Sequence, residues 1–236
     1  MTASTITPRD RLIFALDVPD ATAARQMVEQ LGDSVTFYKL GLELMAAGGY
    51  FELVDWLLQR NKKVFADLKL FDVPATVSRA VSLLANRGIT FATVHGNQGI
   101  MEAAAAAKGE LKILAVTVLT SLDRGDLDDL GFKCDVEALV LSRARRALEA
   151  GCDGVVASGL ELPAMRRAID SRLLVVTPGI RPVENRPSDD QKRVVTVEQA
   201  FADGANYIVV GRPIRDAKDP RAAAEAIQQT IAQRFS

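Results

Sequence analysis

Short apolar runs alternate with longer amphipathic stretches from one end of this chain to the other. That alternation limits the fold more than any single motif. The strand-length runs are Leu12–Leu16, Phe37–Leu40, Val64–Leu68, Phe91–Val94, Ile113–Val118, Gly154–Ala157, Leu174–Thr177 and Tyr207–Val210. A helix is expected after Asp20, a plausible N-cap, ending at Gly32. Others are expected over about Leu42–Arg60, Ala75–Arg87, Gly99–Lys108, Val136–Ala150, Leu162–Ile169 and Val197–Asp203. The last begins at Asp219-Pro220, a cap with proline in the first turn, and runs toward Phe235. Ala103–Ala107 needs no reading beyond helix propensity. Eight such alternations predict an α/β fold, a parallel (β/α)₈ TIM barrel in a single domain. We expect residues 1–10 as a tail and 11–236 as the barrel. The rival, a doubly wound open sheet, usually carries a glycine-rich dinucleotide loop after its first strand. Here Asp17-Val18-Pro19-Asp20 stands there instead.

The 236 residues suffice for one large core. Basic and acidic side chains nearly balance, 29 against 30, which argues against nucleic acid as a partner. Any anion site must come from local placement of arginines. Cys134 and Cys152 have no metal-ligand spacing and suggest no disulfide framework. Met1–Asp10 lacks an apolar signal region, and no apolar run is long enough to span a membrane. The expectation is a soluble, cytoplasmic protein. Two polar connections, Thr120–Asp135 and Arg181–Arg193, are long enough to act as lids.

The active face of such a barrel lies at the carboxyl ends of its strands. Polar residues recur there: Asp17, Lys39, Asp67 with Lys69, His95-Gly96-Asn97, Thr120-Ser121, Ser158-Gly159, Pro178-Gly179-Ile180-Arg181 and Gly211-Arg212. The last two ends suggest a phosphate site. Backbone N–H groups at Gly179 and Gly211 can approach an oxyanion, and Arg181 or Arg212 can add a forked, charged pair. Asp67 and Lys69, two apart on an extended strand, share a face, with Ala66, Leu68 and Leu70 on the other. Asp72 stands just beyond the strand, before Pro74. Two carboxylates around one ammonium can tune the lysine and press on an anionic substrate. His95, the only histidine, stands at a strand end where a catalytic role near neutral pH is open to it; the favoured reading is a packed rim residue whose ring hydrogen-bonds a neighbouring loop. Asp17, Asp67 and Asp72 could hold Mg²⁺, but Lys39 and Lys69 sit among them and repel a divalent cation. No metal is therefore expected.

Asp67-Leu68-Lys69-Leu70-Phe71-Asp72-Val73-Pro74-Ala75-Thr76 resembles the D-x-K-x-x-D-[IV]-P-x-T signature of the orotidine 5′-monophosphate decarboxylase family. Phe14–Asp17, Tyr38–Gly41, Thr93–Gly96, Thr117–Ser121, Thr177–Arg181 and Val210–Ile214 resemble further family blocks, in the family's order. Asp190-Gln191-Lys192-Arg193 is similar to the D-Q-[RK]-R segment of the bacterial enzymes. The resemblance implies a homodimer of barrels that converts orotidine 5′-phosphate to UMP and CO₂ in pyrimidine biosynthesis, with no cofactor. It implies that Asp17 and Lys39 contact the ribose, and that Asp67 and Lys69 face the scissile carboxylate, Lys69 being the proton donor. Asp72 and Thr76 would cross from the partner subunit. Thr120 and Ser121 would lie near the pyrimidine, and Pro178 would be among the substrate-binding residues. Gln191 would bridge base and phosphate, and Arg212, Gly211 and Arg181 would hold the phosphate. Related phosphosugar enzymes that stabilise a Mg²⁺-bound enediolate share D-x-K-x-x-D. Pro74, Thr76 and Gln191 favour the nucleotide enzyme. A barrel that only binds a phosphorylated ligand is a further alternative, against which the intact Asp67–Lys69–Asp72 set argues.

Overall fold

The computed structural model describes residues 6–119, 121–181 and 194–235. Among them, eight parallel strands close into a barrel in chain order: β1 (Leu12–Ala15), β2 (Phe37–Leu40), β3 (Lys63–Leu70), β4 (Phe91–His95), β5 (Lys112–Val116), β6 (Gly154–Val156), β7 (Leu174–Thr177) and β8 (Tyr207–Val210). β8 pairs back onto β1, so the sheet has no free edge. The connecting helices are α1 (Ala21–Leu31), α2 (Leu42–Ala47), α3 (Tyr50–Leu58), α4 (Pro74–Ala85), α5 (Gln98–Ala107), α6 (Arg124–Asp129), α7 (Val136–Glu149), α8 (Leu162–Ala168), α9 (Val197–Ala202), α10 (Arg212–Arg215) and α11 (Pro220–Phe235). None of the described helices is long and apolar enough to cross a membrane.

The core has two layers. Strand residues facing outward pack under the helices, among them Leu12, Phe14, Leu40 and Val64. Those facing inward fill the lumen: Ile13, Phe37, Phe65, Phe91, Leu114, Val176 and Tyr207. Phe91 meets both Phe37 and Tyr207 with ring centroids 5.1 Å apart. This aromatic plug makes a floor on which polar groups at the upper strand ends can stand. At the lower end, Pro8–Arg11 forms a 3₁₀ turn, and Asp10 pairs with Lys63 at 2.6 Å.

Two expectations need correction. The stretch read as one helix over Leu42–Arg60 is two, α2 and α3, broken at Gly48 and Gly49, whose φ angles of 86° and 69° lie outside helical space. The segment Thr120–Asp135, read as a polar loop, contains α6. Asp123 caps it, accepting from the Gly125 and Asp126 N–H groups, while Asp126 accepts from the Asp123 N–H.

Candidate active site

At the carboxyl ends of the strands opens a cavity of about 450 Å³. Asp17, Lys39, Asp67, Lys69, Pro178, Arg181, Gly211 and Arg212 line it, as expected from the sequence. Asp72, Thr76 and Ser121 do not border it in the single chain. Thr120 and Gln191 fall outside the described residues, as does most of the Arg181–Arg193 connection.

The charged groups form a chain of alternating sign. Lys39 Nζ is 2.9 Å from Asp17 Oδ1 and 3.6 Å from Asp67 Oδ2. Lys69 Nζ donates to the same Asp67 oxygen at 3.0 Å. The Thr93 hydroxyl donates to Asp67 Oδ1 at 2.9 Å. Burial opposes charge on Asp67, but Lys39, Lys69 and the hydrogen bonds from Lys69 and Thr93 outweigh it and hold the carboxyl below its ordinary pKa. Burial likewise opposes charge on Lys39, and Asp67 and Asp17 outweigh it, holding the ammonium above its ordinary pKa. Both groups are therefore ionised at neutral pH. The lysines occupy the coordination sphere that a cation between these carboxylates would need.

Local backbone geometry aims Lys69. The ladder between β3 and β4 is regular through Ala66 and resumes at Leu70, with a bulge between. Lys69 itself has φ of 48°, a left-handed conformation that a lysine rarely adopts. The simple two-residue alternation read from the sequence is thus interrupted, although Phe65, Asp67 and Lys69 all still face the cavity. Thr93 stabilises the irregular segment: its hydroxyl oxygen accepts from the Lys69 N–H at 2.9 Å while its proton goes to Asp67. Sequence reading missed this threonine as a site residue. Its signal was a hydroxyl inside the otherwise apolar run Phe91–Val94.

The β7 and β8 ends supply cationic groups. Gly179 has φ of 76°, which allows the sharp exit from β7. The chain then pairs at Ile180 with Val195, and the Arg181 N–H donates to the Val195 carbonyl at 3.0 Å. Arg212 opens α10, and Arg215 at its far end also borders the cavity.

His95 is packed, but against a ring rather than by the expected loop hydrogen bond. Its imidazole lies over Phe71, centroids 4.6 Å apart. Burial, then the nearby charges of Arg143 and Lys69, hold its pKa below the ordinary value, so the ring is neutral at pH 7. A folded-state pKa lowered in this way gives stability above the unfolded value of about 6.5, lost as pH falls through the folded value. His95→Gln should remove that loss. Melting temperatures at about pH 7.5 and about pH 5.5 check it. An equal acid-induced drop in both proteins contradicts it.

The profile of the Orotidine 5′-phosphate decarboxylase / HUMPS family matches residues 10–227. A protein from Methylococcus capsulatus named orotidine 5′-phosphate decarboxylase is 69% identical over 227 residues, covering 96% of this chain and 94% of its own. One of the same name from Stenotrophomonas maltophilia is 53% identical, covering 94% and 93%. Among solved structures, orotidine 5′-phosphate decarboxylase from Lactobacillus acidophilus superposes with a TM-score of 0.84 at 35% identity, covering 94% of this chain and 99% of its own. The chain therefore belongs to the orotidine 5′-phosphate decarboxylase / HUMPS family.

Proposed function

We propose that this chain decarboxylates orotidine 5′-phosphate to UMP and CO₂, using its own side chains and no metal or organic cofactor. One observation carries the reading: the Asp17–Lys39–Asp67–Lys69 chain and the arginines at the β7 and β8 ends line one cavity. An anionic carboxylate at one end and a phosphate at the other match that charge layout.

In the step itself, the bond from C6 to the carboxylate carbon breaks, its electron pair stays on C6, and CO₂ leaves. The ring offers no adjacent sink for that pair. The Lys69 ammonium stabilises the developing charge and then transfers a proton to C6; solvent reprotonates the amine. Asp67 keeps the ammonium oriented and crowds the substrate carboxylate, a repulsion relieved as CO₂ departs. Asp17 and Lys39 bind the ribose hydroxyls, and Arg212, Arg181 and Gly211 the phosphate. Pro178 walls the site, and the family resemblance assigns Thr120 and Ser121 to the base and Gln191 to both base and phosphate. Phosphate binding supplies energy for closure and desolvation.

The working unit in this reading is a homodimer, with Asp72 and Thr76 contributed across the interface. Asp72 is exposed in the single chain, flanked by Phe71 and Val73 at 64% and 63% exposure, an apolar surface that a second copy would cover. A reducing, cytoplasmic setting suits the free cysteines Cys134 and Cys152.

Loss of the substrate's ultraviolet absorbance on mixing with purified protein tests the reaction. Turnover should persist undiminished in EDTA. No absorbance loss refutes the activity. Loss abolished by EDTA points to the metal-dependent sugar-phosphate chemistry instead.

A further inference from the structure

We propose that Arg215 is a positioning residue for this decarboxylation, bracing the end of β1 so that Asp17 is held against Lys39. The inference rests on the proposed reaction and adds to its machinery. Asp17 lies beyond Ala15, the last residue of β1, and the neighbouring ladder ends with the Leu16 N–H donating to the Lys39 carbonyl at 2.9 Å. Past that point the sheet gives the backbone little support. Arg215 Nη1 donates to the Asp17 main-chain oxygen at 2.8 Å, across 198 residues of sequence. Its Nε and Nη2 fork onto the Asp216 carboxylate at 2.7 and 3.1 Å. The guanidinium plane is thus set by the residue that caps the end of α10, and one edge is left to grip the chain just past β1.

The location gives this contact its meaning. Arg212 and Arg215 stand at the two ends of the four-residue helix α10. One end faces the proposed phosphate, the other holds the carbonyl of the residue that starts the charged chain. Asp17 pairs with Lys39, Lys39 with Asp67, and Asp67 with Lys69. A loose Asp17 would be felt at Lys39 and at the ribose, whether or not a phosphate is present. A direct phosphate ligand behaves differently: its loss matters only for phosphorylated substrates. All three Arg215 nitrogens are engaged within the protein, which favours the brace.

The test compares kcat/KM for orotidine 5′-phosphate and for orotidine, the same molecule without phosphate. Arg215→Met should lose about tenfold on both, the scale of one charge-assisted hydrogen bond. On an Asp17→Ala background the same change should cost less than about twofold, because the carboxylate it positions is gone. A loss confined to the phosphorylated substrate overturns the inference and makes Arg215 a phosphate ligand. So does full additivity with Asp17→Ala, which marks a general structural effect. If the methionine variant does not fold, Arg215→Lys serves in the same cycle; it keeps the cation but cannot span both acceptors. Wild-type protein inert toward orotidine 5′-phosphate defeats the proposed reaction, and this inference with it. An active wild type with an additive cycle defeats this inference alone.

Discussion

Lys69→Ala should lower kcat by at least about 10²–10³-fold, the range for removing one preorganised electrostatic group. The structure argues for a loss of chemistry rather than of folding. Asp67, the buried partner left behind, keeps Lys39 at 3.6 Å and the Thr93 hydroxyl at 2.9 Å, so its charge stays compensated. The left-handed backbone at residue 69 is no worse for alanine than for lysine, since both carry a Cβ. Asp17 and Lys39, still paired at 2.9 Å, remain, so binding of the ribose should survive. The variant should therefore melt near the wild-type temperature and bind UMP while failing to turn over substrate. Near-normal turnover would remove Lys69 from the mechanism. A collapsed melting temperature would mean that the ammonium is structural first.

The fold was readable because each strand is a compact apolar run bounded by polar residues. Phe37–Leu40, Leu174–Thr177 and Tyr207–Val210 are strands with the expected limits, and the helix N-caps expected at Asp20 and Asp219 are formed, accepting from the Ala23 and Ala222 N–H groups. The failures have local causes. Gly48-Gly49 sits inside a pattern apolar enough to continue a helix, and periodicity does not register the positive φ angles that break it. In Asp123–Asp129, acidic residues hid a capping box that a search for D-x-x-D would have found. At the site, charge and strand-end position were enough to find Asp17, Lys39, Asp67, Lys69 and Arg212. Thr93 and Arg215 were not found, because their parts are played through hydrogen bonds between residues 24 and 198 apart. The bulge at Lys69 was hidden for a similar reason: its sequence still alternates as a regular strand would.

Asp72 offers the second large effect, because its side chain stands away from the cavity of its own chain. It makes no ion pair with Lys69 there, and its Oδ1 instead accepts from the Val73 N–H at 2.6 Å. If the partner's site uses it, Asp72→Asn and Lys69→Ala homodimers should each be nearly inactive. Co-expressed with two different affinity tags, the chains form a mixed dimer in which one site keeps both native groups and the other has neither. That purified heterodimer should show about half the wild-type activity per dimer, and an unseparated equal mixture about a quarter. The recovery is large because one intact site regains the full transition-state stabilisation, rather than each site regaining a fraction. The neighbours make the geometry reasonable. Phe71 and Val73 would bury apolar surface on dimerisation, and Pro74 ends the extended segment before α4, directing Asp72 outward. A confirmed heterodimer without recovered activity would show that Asp72 works within its own subunit. The single-chain separation of Asp72 from Lys69 would then have to close by movement of residues 71–73 toward the cavity.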